Sequence, residues 1–134
     1  MGKNSMKLDL KGLEEMLERI KRAGGNIEQA AEKALKESAE PFYDDLQAGI
    51  KEHHDTGDTE LSLRTTNVKW EGNVATLKVG FDMKKGGLPA LFIEYGTPKQ
   101  KPRPFIRPAI TRNKPKARKI QQKVLSDILK ELEK

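Results

Sequence analysis

Apolar residues change their spacing twice along this chain, and that change limits the fold more than any other feature. From Leu10 to Ile50 they recur at steps of mostly three and four, from Leu61 to Phe81 they alternate, and from Ala117 the helical step returns. A period near 3.6 marks a helix with one buried face, and a period of two marks a half-buried strand. The order predicts an α+β fold in which a small antiparallel sheet is packed by a long kinked amino-terminal helix and a carboxyl-terminal helix. At 134 residues the chain reads as a single domain, 1–134, large enough to bury a core without staples.

Leu10, Leu13, Leu17 and Ile20 mark a first helix, which Gly24-Gly25 should end. Asn26, with Gln29 three residues on, should cap a second helix whose stripe is Ile27, Ala31, Leu35, Phe42, Leu46 and Ile50. Ala30, Ala34, Ser38 and Ala39 leave room for a close neighbour, and Pro41 should kink this helix without ending it. The alternating stretch Leu61–Phe81 reads as a β-hairpin with a bulge near Thr66-Asn67 and a turn at Glu71-Gly72-Asn73. Lys84-Lys85-Gly86-Gly87 reads as a mobile loop. Leu88–Tyr95 is short enough to be either a helical turn or a third strand. Four prolines from Pro98 to Pro108 hold the next segment extended. The last helix should begin near Pro108 or Asn113, with Ala117, Ile120, Val124, Ile128 and Leu132 as its stripe.

Composition excludes several chemistries. Cysteine is absent, so thiol catalysis, zinc-thiolate sites and disulfide scaffolds are ruled out. No apolar run reaches the roughly 18 residues of a membrane span. The polar start, Met1–Lys11, lacks a secretory core, so synthesis in the cytoplasm and no membrane partner are expected. Residues 1–60 hold 9 basic and 14 acidic side chains, net −5, whereas residues 61–134 hold 17 and 6, net +11. Such polarity suits a protein whose two ends meet different surfaces, or copies of itself.

Each candidate for chemistry has a plainer reading beside it. Asp55-Thr56-Gly57 matches an aspartic-protease triplet in letters, but it follows the solvated Lys51–His54 rather than a buried strand. His53, His54 and Asp55 are adjacent, point apart on a helix, and lack a third ligand at helical spacing. Glu94 is the last acid before a gap that runs to Asp127. As a general acid or base it would need a partner, so an ion pair with Arg103, Arg107 or a neighbouring subunit is the better reading. No catalytic, cofactor or metal site is therefore expected. The run from Lys99 to Lys119 holds nine basic residues and could bind nucleic acid nonspecifically. Only Phe105 within it could stack on a base.

Two segments carry a resemblance. Phe92-Ile-Glu-Tyr-Gly-Thr97, then Arg103-Pro-Phe-Ile-Arg-Pro-Ala-Ile110, is similar to the phage head–tail joining and tail-completion family of long-tailed phages. That family carries an aromatic–x–Glu–aromatic–Gly–Thr segment, then Pro-Phe-x-x-Pro-Ala opening a last helix. Ala39-Glu-Pro-Phe42 and Thr56-Gly57 add to the likeness, which runs from about Ile27 to the last helix. In the family, leucine and then serine follow two residues after Thr-Gly, whereas here Asp58-Thr59-Glu60 intervenes before Leu61-Ser62. Residues 1–25 are then a variable amino-terminal helix and 26–134 a tail-completion-like core. The resemblance implies a minor tail component of the virion neck or upper tail, made in the bacterial host cytoplasm. It would be a homo-oligomeric ring that binds connector and tail-tube proteins, with nonspecific DNA contact as a further possibility. Contacts would fall on Phe92, Glu94, Tyr95, Gly96, Thr97, Arg103, Pro104, Phe105, Arg107 and Pro108. Phe92 and Phe105 could equally pack on the hairpin. The alternative is a small basic nucleic-acid-binding protein.

Overall fold

The structure is a computed structural model that describes residues 5–52, 61–82 and 85–134. Its elements are β1 (Ser5–Asp9), α1 (Glu14–Arg22), α2 (Ile27–Lys51), β2 (Leu63–Thr65), β3 (Lys69–Glu71), β4 (Val74–Phe81), α3 (Leu88–Tyr95) and α4 (Ile106–Leu132). The fold is α+β, with four strands and four helices among the described residues.

The long strand β4 is the centre of the antiparallel sheet. It pairs with β1 along one side and with β2 and β3 along the other. Its alternating Ala75, Leu77, Val79 and Phe81 are all buried, as a strand with one apolar face requires. Opposite them lie Met6 and Leu8 of β1 and Leu63 of β2, which complete the inner face. Between β2 and β3 the chain takes four steps, Thr65 to Lys69, while β4 takes three, Val79 to Thr76. That extra residue is the expected bulge, and it sets Trp70 opposite Ala75, where the ring stays exposed.

The amino-terminal segment differs from expectation. Met6, Leu8 and Leu10 alternate, and Ser5–Asp9 forms the edge strand β1, so the helix is confined to Glu14–Arg22. Leu10 and Leu13 lie outside it, buried in the turn that joins β1 to α1. Leu88–Tyr95 is accordingly a helix and not a strand.

Helix α1 ends at Gly24-Gly25 as the glycines predict. Gly24 has φ +93°, its N–H bonds to Lys21 O, and the Gly25 N–H reaches back to Ile20 O at 2.9 Å. Asn26 caps α2 through its side chain, which accepts from the Gln29 N–H at 3.1 Å. Helix α2 runs through Pro41 as one element of 25 residues. Its small face (Ala30, Ala34, Ser38) is buried against α4, and the two helices are antiparallel. Gly25 lies against Leu132, Ser38 meets Gln121, Asp45 meets Asn113, and Gly49 lies against Phe105.

Helix α4 begins at Ile106, ahead of both Pro108 and Asn113, with Pro108 in its first turn and Pro115 in its interior. Its buried line is Ala109, Asn113, Ala117, Gln121, Leu125 and Leu129. Ile120, Val124, Ile128 and Leu132 are only half-buried, on the flank. The small face of α2 lets the backbones approach closely and favours alanine at the contact. Asn113 and Gln121 are tolerated there because Asp45 and Ser38 bond to them, at 2.7 and 3.2 Å. In the loop 84–87, Lys85 and Gly87 both donate to Asp82 O, and Lys84 lies outside the described residues. His53, His54 and the Asp55-Thr56-Gly57 triplet lie outside the described residues.

Candidate functional site

The two segments that carried the resemblance meet at the junction of α3 and α4. Ala90 and Glu94 form the buried side of α3, both with no exposed surface. Helix α4 has no capping side chain of its own, because Phe105 stands at the position where serine or aspartate usually serves. Glu94 takes that role from eleven residues upstream. Its Oε1 accepts from the Phe105 and Ile106 N–H groups, each at 2.7 Å, and its Oε2 from the Arg107 N–H at 2.9 Å. The Arg107 Nε adds a fourth bond to Oε2 at 2.8 Å, and Arg107 Nη2 donates to the Glu94 carbonyl at 3.2 Å. A carboxylate therefore occupies the positive end of α4, where the first N–H groups lack helical acceptors.

Burial alone would push the Glu94 carboxyl upward. The backbone N–H groups of Arg107, Ile106 and Phe105 and the Arg107 side chain outweigh it, so the group sits below its ordinary value. A carboxylate held below its ordinary value is ionised at neutral pH, as a cap on the α4 N–H groups requires. Glu94 pairs with Arg107, one of the partners expected from sequence.

The loop between the helices is braced at several points. Gly96 has φ +79°, and a Cβ there would come within 2.9 Å of Pro102. The Thr97 N–H bonds to Gln100 O, its hydroxyl accepts from the Lys99 and Gln100 N–H groups, and the Arg103 N–H donates to Ile93 O at 2.8 Å. Phe105 is half-buried, meets Phe81 edge-on at 5.9 Å between ring centres, and rests on Gly49. It thus packs against the hairpin strand β4 while keeping part of its surface open. Pro104, Arg103 and Pro108 are exposed.

The opposite side of α3 is apolar and open. Leu88, Phe92 and Tyr95, at helical spacing, are 45%, 47% and 39% exposed. Arg107, half-exposed, lays its guanidinium over the Tyr95 ring at 4.5 Å. Leu88 was missed from the sequence; its step of four to Phe92 shows only once the segment is known to be helical. The basic run does not gather into one stripe. Arg112, Lys116 and Lys119 follow one flank of α4, Lys114 and Arg118 the other, and Lys99, Lys101 and Arg103 stay in the loop. Among the described residues, no group of three or more His, Asp or Glu could hold a metal ion, and no helix is long and apolar enough to cross a membrane.

No protein-family model, no curated protein and no solved structure matches this chain.

Proposed function

We propose that the chain is a structural subunit of the head–tail junction of a tailed bacteriophage or prophage. It assembles with copies of itself into a ring and binds connector and tail-tube proteins. One observation carries this reading: the two resembling segments form a single clamp. Glu94, the Arg107 N–H and the half-buried Phe105 fix a stiff elbow, and Phe92 and Tyr95, with Leu88 one turn earlier on α3, present an apolar edge. A rigid apolar edge flanked by arginines is the composition of an interface centre, because little ordering entropy remains to be lost on docking. The acidic amino-terminal half and the basic remainder suit head-to-tail contacts, which close into rings when the rotation permits.

The rival reading, a nucleic-acid-binding protein, has less to rest on. The one aromatic of the basic run, Phe105, is half-buried and packs on Phe81 and Gly49, so it is less available for stacking on a base than an exposed ring. The deciding experiment is mass by light scattering across a concentration series, on the natural chain and on Phe92→Ser. Oligomers that the substitution weakens by about tenfold or more support the ring. A monomer at every concentration, together with tight and salt-sensitive duplex binding, supports the rival.

A further inference from the structure

A second surface, away from the α3 edge and independent of the ring reading, lies where β1 runs beside α4. In the sheet β1 is an edge strand: it pairs with β4 on one side, and no described strand pairs with its other side. All five of its residues are in register with β4, so the outer edge offers an unbroken row of backbone donors and acceptors. A groove of about 200 Å³ separates this strand from α4. Met6–Asp9 line one side of it, and Lys114, Ala117, Arg118 and Gln121 line the other.

The groove carries unspent positive charge. The Arg118 Nη1 is buried yet has no hydrogen-bond partner among the described residues. Leaving a guanidinium nitrogen desolvated and unbonded is costly, and a bound acceptor removes the cost. Lys114, one turn before Arg118, stands on the same groove, as does Lys7 of β1, whose ammonium is already paired with Glu71 at 3.4 Å. The acid lining it, Asp9, already accepts from the Lys11 N–H at 3.0 Å. An edge strand beside a helix, with cations along the helix, fits an extended acidic peptide better than nucleic acid, because strand edges repeat at the spacing of another main chain.

We propose that the β1–α4 groove binds an extended segment of a partner protein that adds to the sheet alongside β1 and places a carboxylate on Arg118 and Lys114.

The test uses the full chain labelled with nitrogen-15. The probes are two blocked peptides of the same length as β1, alternating threonine and valine, one with a central glutamate and one with a central lysine. The glutamate peptide should slow amide exchange at Ser5–Asp9 and bind about tenfold or more tightly than the lysine peptide. Arg118→Met, which keeps the aliphatic stem, should remove about tenfold of that affinity; Lys114→Gln should lower it less and serves if Arg118→Met fails to fold. Equal binding of the two peptides, protection elsewhere than β1, or none at about 5 mM glutamate peptide overturns the proposal. So does a short DNA duplex that shifts the same amides at physiological salt while the glutamate peptide leaves them unchanged.

Discussion

Replacing Glu94 by glutamine keeps the shape of the side chain and removes its charge, which isolates what the clamp contributes. The natural carboxylate receives four hydrogen bonds, three from backbone N–H groups and one from Arg107 Nε. An amide can accept at only one of its two terminal atoms. Whichever way it turns, its NH2 group faces two donors, and both of those bonds are lost. Hydrogen bonds to a charged group contribute about 1.5–3 kcal/mol each, so the loss of two in Glu94→Gln should cost about 3–6 kcal/mol. That is a large share of the roughly 5–15 kcal/mol typical of a domain. Arg107→Met leaves the three backbone donors in place and removes a guanidinium that is 51% exposed, so solvent screening holds its cost to about 1 kcal/mol. Urea unfolding followed by circular dichroism measures both variants. Amide exchange at Ile106 and Arg107 tells whether the start of α4 frays in Glu94→Gln. Equal losses from the two substitutions, or a loss under about 1 kcal/mol for Glu94→Gln, would show that the ion pair, or nothing, matters there and refute the capping argument.

Three further outcomes follow from the same geometry. The folded Glu94 carboxyl lies below its ordinary value near 4.5, so its contribution is fully present above that value and disappears as pH falls through the lower folded one. The stability gap between the natural chain and Glu94→Gln, measured from about pH 7 to about pH 2.5, should therefore narrow toward the acid end. Gly49→Ala would set a Cβ 2.5 Å from Phe105 Cδ2, and it should cost about 1–3 kcal/mol in a urea melt. At the buried Ser38–Gln121 pair, Gln121→Ala alone should destabilise by about 1–3 kcal/mol, whereas Ser38→Ala with Gln121→Leu should be nearly neutral, as a double-mutant cycle would show.

Much of the fold was legible in the residues because the cues were local. The Gly24-Gly25 stop, the Asn26 cap, the bulge after Thr65 and the alternation of β4 each depend on neighbours a few positions away. Alternation at Met6, Leu8 and Leu10 was equally local, but Leu10, Leu13, Leu17 and Ile20 also fit a helix, and the longer pattern masked the shorter. The face of α4 was misjudged for a different reason. Hydrophobicity favours Ile120, Val124 and Ile128, yet the small face of α2 selects for size, and polar Asn113 and Gln121 enter the interior because partners wait there. Such pairing depends on the register of two helices far apart in sequence, which no window along one of them contains.

The candidate site shows where local reading stops and what could extend it. Glu94 was recognisable as isolated, and an ion pair with arginine was its expected use, but the three backbone N–H groups it holds were not foreseen. A helix cap is normally sought within a turn of the helix start, and Pro104-Phe105 supplies none. These two facts answer each other. A helix that opens without a capping side chain still has unsatisfied N–H groups, and when its start is buried they need an acceptor from elsewhere. A lone acid in a long basic stretch is the one nearby group with the charge to serve. Read together, the uncapped start at Phe105 and the solitary Glu94 imply that α3 folds back onto α4, which places Leu88, Phe92 and Tyr95 on the outside of the elbow. The exposed apolar edge is thus a consequence of how α4 is capped, and the same carboxylate that stabilises the helix orients the surface proposed to meet other subunits.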